Sequence, residues 1–159
     1  MARVDYDAVV EVLMKGVVAL DSDIAQCING PRHIQIAEFR TIGFTGTRQT
    51  GKTNWMRDFA ARHPDETLII FHDSLLSTDF QRRWELTMGG TRQPSVYRGP
   101  FYQADDRRGI SFNPIRVPGQ FKYILIDDAN RYFAKYSHNK TFKGIAEVVG
   151  DDVIVILVG

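Results

Sequence analysis

Eight consecutive residues, Gly46, Thr47, Arg48, Gln49, Thr50, Gly51, Lys52 and Thr53, satisfy G-x-x-x-x-G-K-[ST] at every fixed position. At this chain's own frequencies of glycine, lysine and hydroxyl residues, a chance match has a probability of about 0.004. Glycines at these two places let backbone N–H groups turn inward, and a helix that follows adds its positive dipole end, so the segment can cradle a polyphosphate. Lys52 is placed to reach the β and γ phosphates and the Thr53 hydroxyl to ligate Mg²⁺, with Asn54 continuing into the helix. The bland alternative is a glycine-bounded surface turn with an incidental lysine.

Mg²⁺ beside a phosphate also calls for a carboxylate at the end of a neighbouring strand, and Tyr123-Ile124-Leu125-Ile126-Asp127-Asp128 supplies one. Asp127 would hold Mg²⁺ directly or through water, while Asp128 would orient and deprotonate an attacking water. Either aspartate could instead cap the helix that begins near Ala129. His72 and Asp73 end another apolar run, a place where α/β sheets offer ligand-facing residues. Asp73 is there either a base for a substrate hydroxyl or a turn and N-cap residue ahead of Ser74. Cys27, His33, His63 and His138 show no metal-ligand spacing.

These residues need a scaffold, and the apolar periodicity describes one. Tyr6, Val9, Val10, Leu13, Met14 and Val17 fall on one stripe and predict a helix of three to four turns. Asn29, Gly30 and Pro31 break it, and Ile34, Ile36 and Phe39 among His33, Gln35 and Glu38 predict a half-exposed strand. The chain then alternates: a strand over Thr41 to Thr45, a helix from about Thr50 to Arg62 closed by His63 and Pro64, a strand over Thr67 to His72, and a helix from Thr78 to Met88 stopped by Gly89 and Gly90. The runs Tyr123 to Ile126 and Val153 to Val158 are continuously apolar, as strands covered on both faces are. The expectation is one α/β domain over residues 1–159, a mostly parallel central sheet flanked by helices, with residues 1–40 as an N-terminal helix-and-strand extension packed on it. Seven prolines and glycines between Thr91 and Gly119 predict short elements there, such as a hairpin of Ser95 to Arg98 with Ile110 to Phe112.

Composition bounds the function classes. With 159 residues, 43% of them apolar, the chain can bury a core, and 20 Lys plus Arg against 19 Asp plus Glu exclude a polybasic tail or an acidic solvating segment as its whole identity. The single cysteine excludes an internal disulfide and a thiolate-rich zinc site. No run approaches the roughly 18 apolar residues of a membrane span, and the N-terminus lacks a signal-like stretch, so a cytoplasmic protein is expected, in the host cytoplasm if viral. Charge is nonetheless uneven: residues 82–140 hold 11 Lys/Arg against 5 Asp/Glu. Half of the chain's 14 arginines lie from Arg82 to Arg116 (Arg82, Arg83, Arg92, Arg98, Arg107, Arg108 and Arg116), interleaved with Trp84, Tyr97, Phe101, Tyr102 and Phe112. Arginine with aromatics suits a nucleic-acid groove with base stacking, a solvated face over a small core, or the phosphate lid of a small-molecule kinase.

The loop, its flanking strand and helix, and a separate strand ending in two acids resemble the P-loop NTPases of the ASCE division. That resemblance covers Thr41 to Gly159 and implies an extra strand between the phosphate-loop strand and the acidic strand. In chain order the slots would be filled by Thr41 to Thr45, Thr67 to His72, Tyr123 to Asp127 and Val153 to Val158. Within the division, Thr47-Arg48-Gln49-Thr50-Gly51-Lys52-Thr53 is similar to the (Ser/Thr)-Arg-Gln-x-Gly-Lys-Thr loop of large terminase ATPases, which package DNA into viral capsids. The resemblance implies ATP and Mg²⁺ as ligands, hydrolysis coupled to nucleic-acid translocation, and Arg48 as a charge-stabilising finger acting in cis. A guanidinium near the γ phosphate would stabilise charge on its equatorial oxygens, although a loop arginine is also often only solvated. That family usually has Asp-Glu where this chain has Asp127-Asp128. Arg131 is either a finger offered to a neighbouring subunit or a surface charge, and motors of this kind commonly act as homo-oligomeric rings. Two other functions fit the same residues, a nucleoside or nucleotide kinase and a regulatory nucleotide-binding module that hydrolyses little. Adenine is the default base, since no Asn-Lys-x-Asp guanine signature is present.

Overall fold

Among the described residues five strands, β1 (Thr41–Phe44), β2 (Thr67–Phe71), β3 (Ser95–Arg98), β4 (Phe121–Asp127) and β5 (Val149–Val158), form one sheet in the order β1-β5-β4-β2-β3. Every neighbouring pair runs parallel. This computed structural model describes residues 4–47, 49–101, 119 and 121–159. The last strand of the chain, β5, lies between β1 and β4.

Parallel strands need crossovers, and helices supply them on both faces. Seven helices occur among the described residues: α1 (Tyr6–Met14), α2 (Asp23–Cys27), α3 (Arg32–Phe39), α4 (Lys52–Arg62), α5 (Ser74–Met88), α6 (Ala129–Lys135) and α7 (His138–Val148). Because successive strand residues point to opposite faces, the apolar runs divide cleanly. Ile69, Phe71, Leu125 and Ile156 pack with Tyr6 and Val10 of α1, Trp55, Met56 and Phe59 of α4, and Phe80 and Trp84 of α5. Leu68, Ile70, Ile124, Ile126 and Val155 pack with Ile36 of α3, Tyr132 of α6, and Phe142 and Ile145 of α7. No helix among the described residues is long and apolar enough to cross a membrane.

The strand expected over Ile34 to Phe39 is a helix, α3, so the N-terminal extension is helical. The eight-residue run fits both periods, because Arg32, Ile36 and Phe39 also recur at offsets of four and seven. Pro31 fixes the helical entry, its carbonyl accepting from Ile34 N at 2.9 Å and Gln35 N at 3.3 Å. The Arg32 guanidinium then donates to the Ala146 and Val149 carbonyls, and Ile36 is fully buried. Helix α5 begins at Ser74, earlier than the expected Thr78, because Asp73 Oδ1 accepts from Leu76 N at 2.9 Å as its N-cap. Of the expected hairpin, Ser95–Arg98 is a parallel strand on β2, while Ile110 to Phe112 lie outside the described residues.

Candidate phosphate site

Strand β1 ends at Phe44 and α4 begins at Lys52, so the loop leaves the carboxyl edge of the sheet and enters a helix N-terminus. Gln49 (φ 64°) and Gly51 (φ 89°) are left-handed, which turns successive backbone N–H groups as an anion-binding concavity needs. Gly46 is required by close approach: a Cβ there would sit 2.9 Å from the Tyr6 hydroxyl and 3.2 Å from Thr50 Oγ1. The Tyr6 hydroxyl donates to Thr50 Oγ1 at 2.5 Å, and Thr50 Oγ1 donates to the Thr47 carbonyl at 2.8 Å. Lys52 Nζ donates to the Gly46 carbonyl at 2.6 Å and also to the Gly159 carbonyl, tying the loop to the end of β5. Thr53 and Asn54 are exposed on the first turn of α4. Arg48 lies outside the described residues.

Sheet register places the acids opposite this loop. Phe44 pairs with Val158 and Val158 pairs with Asp127, so the three form one row across β1, β5 and β4. Two strand spacings separate the ends of β1 and β4, roughly 10 Å, a gap that a phosphate and its cation can bridge. Asp127 closes β4 with its carboxyl pushed up to about 6, chiefly by burial and then by the Asp128 charge; Lys52 and His72 act in the opposite sense. Asp128 takes a left-handed backbone (φ 46°, ψ 53°) and stands at the N-cap position of α6, yet its side chain makes no capping hydrogen bond. Its Oδ2 faces Arg131 Nε at 3.4 Å and His72 Nε2 at 3.9 Å. The capping alternative for Asp128 is therefore not realised.

Sequence spacing alone did not find Tyr6 or the way α1 braces the loop. The Tyr6 ring stacks on Phe44 at 5.0 Å, Trp55 Nε1 donates to Asp7 Oδ1 at 2.8 Å, and Arg62 makes a two-pronged pair with Asp7 at 2.6 and 3.1 Å. The hydrogen bond from Arg62, partly opposed by desolvation, holds the Asp7 carboxyl below the usual carboxylate range. We expect Tyr6→Phe to keep the stacking and release Thr50, costing about 1 kcal/mol of stability and weakening phosphate binding about fivefold. Thermal unfolding and a nucleotide titration check both, and an unchanged loop affinity would remove Tyr6 from the site.

Of the basic middle segment, several described residues belong to the core or to surface ion pairs. Trp84 and Phe101 are core residues, 2% and 1% exposed, and so are not stacking platforms. Arg83 pairs with Asp79 at 2.8 Å and Arg92 with Asp65 at 2.8 Å. Arg107, Arg108, Arg116, Tyr102 and Phe112 lie outside the described residues. The ring of Tyr97 packs edge-on against Phe101 at 5.0 Å. Asp73 is committed to capping α5 and stands 3.1 Å from His72 Nδ1. No family model, curated protein or solved structure matches the chain, and the chemistry of this edge rests on its own residues and geometry.

Proposed function

We propose that the chain is an Mg²⁺-dependent ATPase of the P-loop type, of the ASCE division, whose hydrolysis is coupled to nucleic-acid translocation of the kind used in viral genome packaging. The observation that carries the nucleotide reading is the Phe44–Val158–Asp127 row, with the glycine loop and Lys52 at one end and the paired acids at the other. The insertion of β5 between β1 and β4 supports the ASCE resemblance.

Loop amides and Lys52 would bind the β and γ phosphates, Arg48 would face the γ phosphate, and Thr53 with Asp127 would hold Mg²⁺. The donor set fits a hard cation: one hydroxyl and one half-buried carboxylate, whose charge is disfavoured by desolvation until a cation matches it. Bound there, Mg²⁺ would neutralise charge on the phosphate oxygens. Asp128 is free of capping duty to act on a water, whereas Asp73 is occupied, and this favours hydrolysis over transfer to a hydroxyl acceptor.

Phosphate release measured with and without duplex DNA, beside a screen of nucleosides as acceptors, separates the alternatives. Stimulated release supports the motor, a phosphorylated nucleoside the kinase, and tight binding without turnover the regulatory module. Replacing Arg107 and Arg108 together is expected to shallow the salt dependence of DNA binding, whose log-log slope is near −0.9 per neutralised phosphate, and to leave ATP binding intact. A slope unchanged by the double variant would remove these arginines from the nucleic-acid contact.

A further inference from the structure

Helix α5 presents two faces to two environments. Ser77, Phe80 and Trp84 are buried against the sheet, whereas Leu75 and Leu86 are 80% and 75% exposed. At 3.6 residues per turn, Leu75, Asp79, Arg82 and Leu86 fall within roughly 60° of arc on the side opposite the buried stripe. One exposed leucine needs no explanation. Two on a single stripe, with an acid and a base between them, make a pattern whose symmetry identifies what would cover it.

The four residues are spaced by four, three and four positions, which is the a/d seam of a coiled coil over three turns. They lie symmetrically about the midpoint between Phe80 and Gln81, in the order leucine, acid, base, leucine. Laid antiparallel, a second copy of α5 therefore sets its Leu86 on Leu75 and its Arg82 on Asp79, and the twofold axis repeats both contacts. A parallel pair would oppose acid to acid and base to base. The charges are available for this. Arg82 is exposed and makes no ion pair among the described residues. Asp79 Oδ2 meets Arg83 Nε at 2.8 Å, while its Oδ1 has no partner among the described residues.

We infer that the outer face of α5 is a homodimer surface, closed by the same face of a second copy in antiparallel orientation. The leucines at the two ends supply the apolar burial, and the Asp79 and Arg82 pairs between them fix direction and register. A seam of three turns belongs to the small interfaces, below roughly 1,200 Å² in total, that associate weakly. The dimer should therefore form at about 0.1 mM. Arg82 is then an interface residue and not a phosphate contact. The inference stands apart from the ATPase reading and would survive its failure.

Sedimentation equilibrium of the full chain from about 10 to 500 µM should show a monomer–dimer equilibrium, weakened at least about tenfold by Leu86→Lys. Asp79→Arg and Arg82→Asp should each weaken it about fivefold or more, because each sets like charges against each other. Both substitutions in one chain exchange the signs and should restore association to within about twofold of the parent. All these side chains are exposed, so the variants should melt like the parent. Register is read separately in a Cys27→Ser background, which removes the exposed native thiol. A short thiol crosslinker should join Leu75→Cys to Leu86→Cys in a mixture of the two variants, and should not join either to itself, since like positions stand roughly 16 Å apart along the axis. A parent that stays monomeric at about 500 µM would overturn the inference. So would a double exchange no better than its single variants, or Leu75→Cys crosslinking to itself as readily as to Leu86→Cys.

Discussion

Lys52→Ala is expected to lose about 100-fold or more in Mg·ATP affinity while remaining folded. In the free protein the ammonium is satisfied by two backbone carbonyls, those of Gly46 and Gly159, which hold it at the mouth of the loop. Charge-assisted bonds to phosphate contribute roughly 1.5–3 kcal/mol each, so losing two of them accounts for such a drop. The same two carbonyls tie the loop to β5, and their release should cost stability by about 1–2 kcal/mol, well short of unfolding. Thermal unfolding beside a nucleotide titration separates the two effects. Lys52→Arg keeps the charge without the compact ammonium, and should restore the tie to β5 better than the binding.

Asp127→Asn should make the protein more stable at neutral pH while abolishing the Mg²⁺ dependence of binding. The folded-state pKa of Asp127 is raised from 3.8 to about 6, so the folded chain holds this proton more tightly than the unfolded one. The resulting stability is fully present below about pH 4 and is lost as pH rises to about 6; above that, the desolvated charge costs up to roughly 3 kcal/mol. Asparagine keeps the shape without the charge, so the variant should gain most at pH 8 and little at pH 4, as denaturant unfolding at the two values would show. Asp128→Asn, in contrast, should lower turnover at nearly unchanged affinity. A variant at position 127 that is destabilised at pH 8 and still needs Mg²⁺ would contradict the assignment. A gain in stability coupled to a loss of binding is what a residue kept for chemistry produces.

Much of this edge was legible in the residues. Leu68 to Phe71, Ile124 to Ile126 and Val153 to Val158 read as strands because burial on both faces demands continuous apolar side chains, and all are strands of the parallel sheet. The loop was legible because its fixed residues answer local needs, such as Gly46 beside Thr50 Oγ1 and Gly51 at positive φ. What stayed hidden depends on partners distant in the chain. Arg32 to Phe39 satisfies both periods, and it is Pro31 and the docking of Arg32 on α7 and β5 that select the helix. Tyr6 meets Thr50 across 44 positions and Lys52 meets Gly159 across 107, separations at which no spacing rule operates. Trp84 and Phe101 lie between arginines in sequence yet face the core, because α5 and the exit of β3 bury one side of each segment. The pairing of His72 with Asp128 needs the β2–β4 register, which the sequence does not print.

The most direct test of the central claim is a calorimetric titration of the purified chain with ATP, with and without Mg²⁺, run in parallel on Lys52→Ala. The account predicts saturable one-site binding by the parent, weaker binding when Mg²⁺ is chelated, and at least about a 100-fold loss in the variant. Binding that is absent in the parent, or equal in parent and variant, would contradict it.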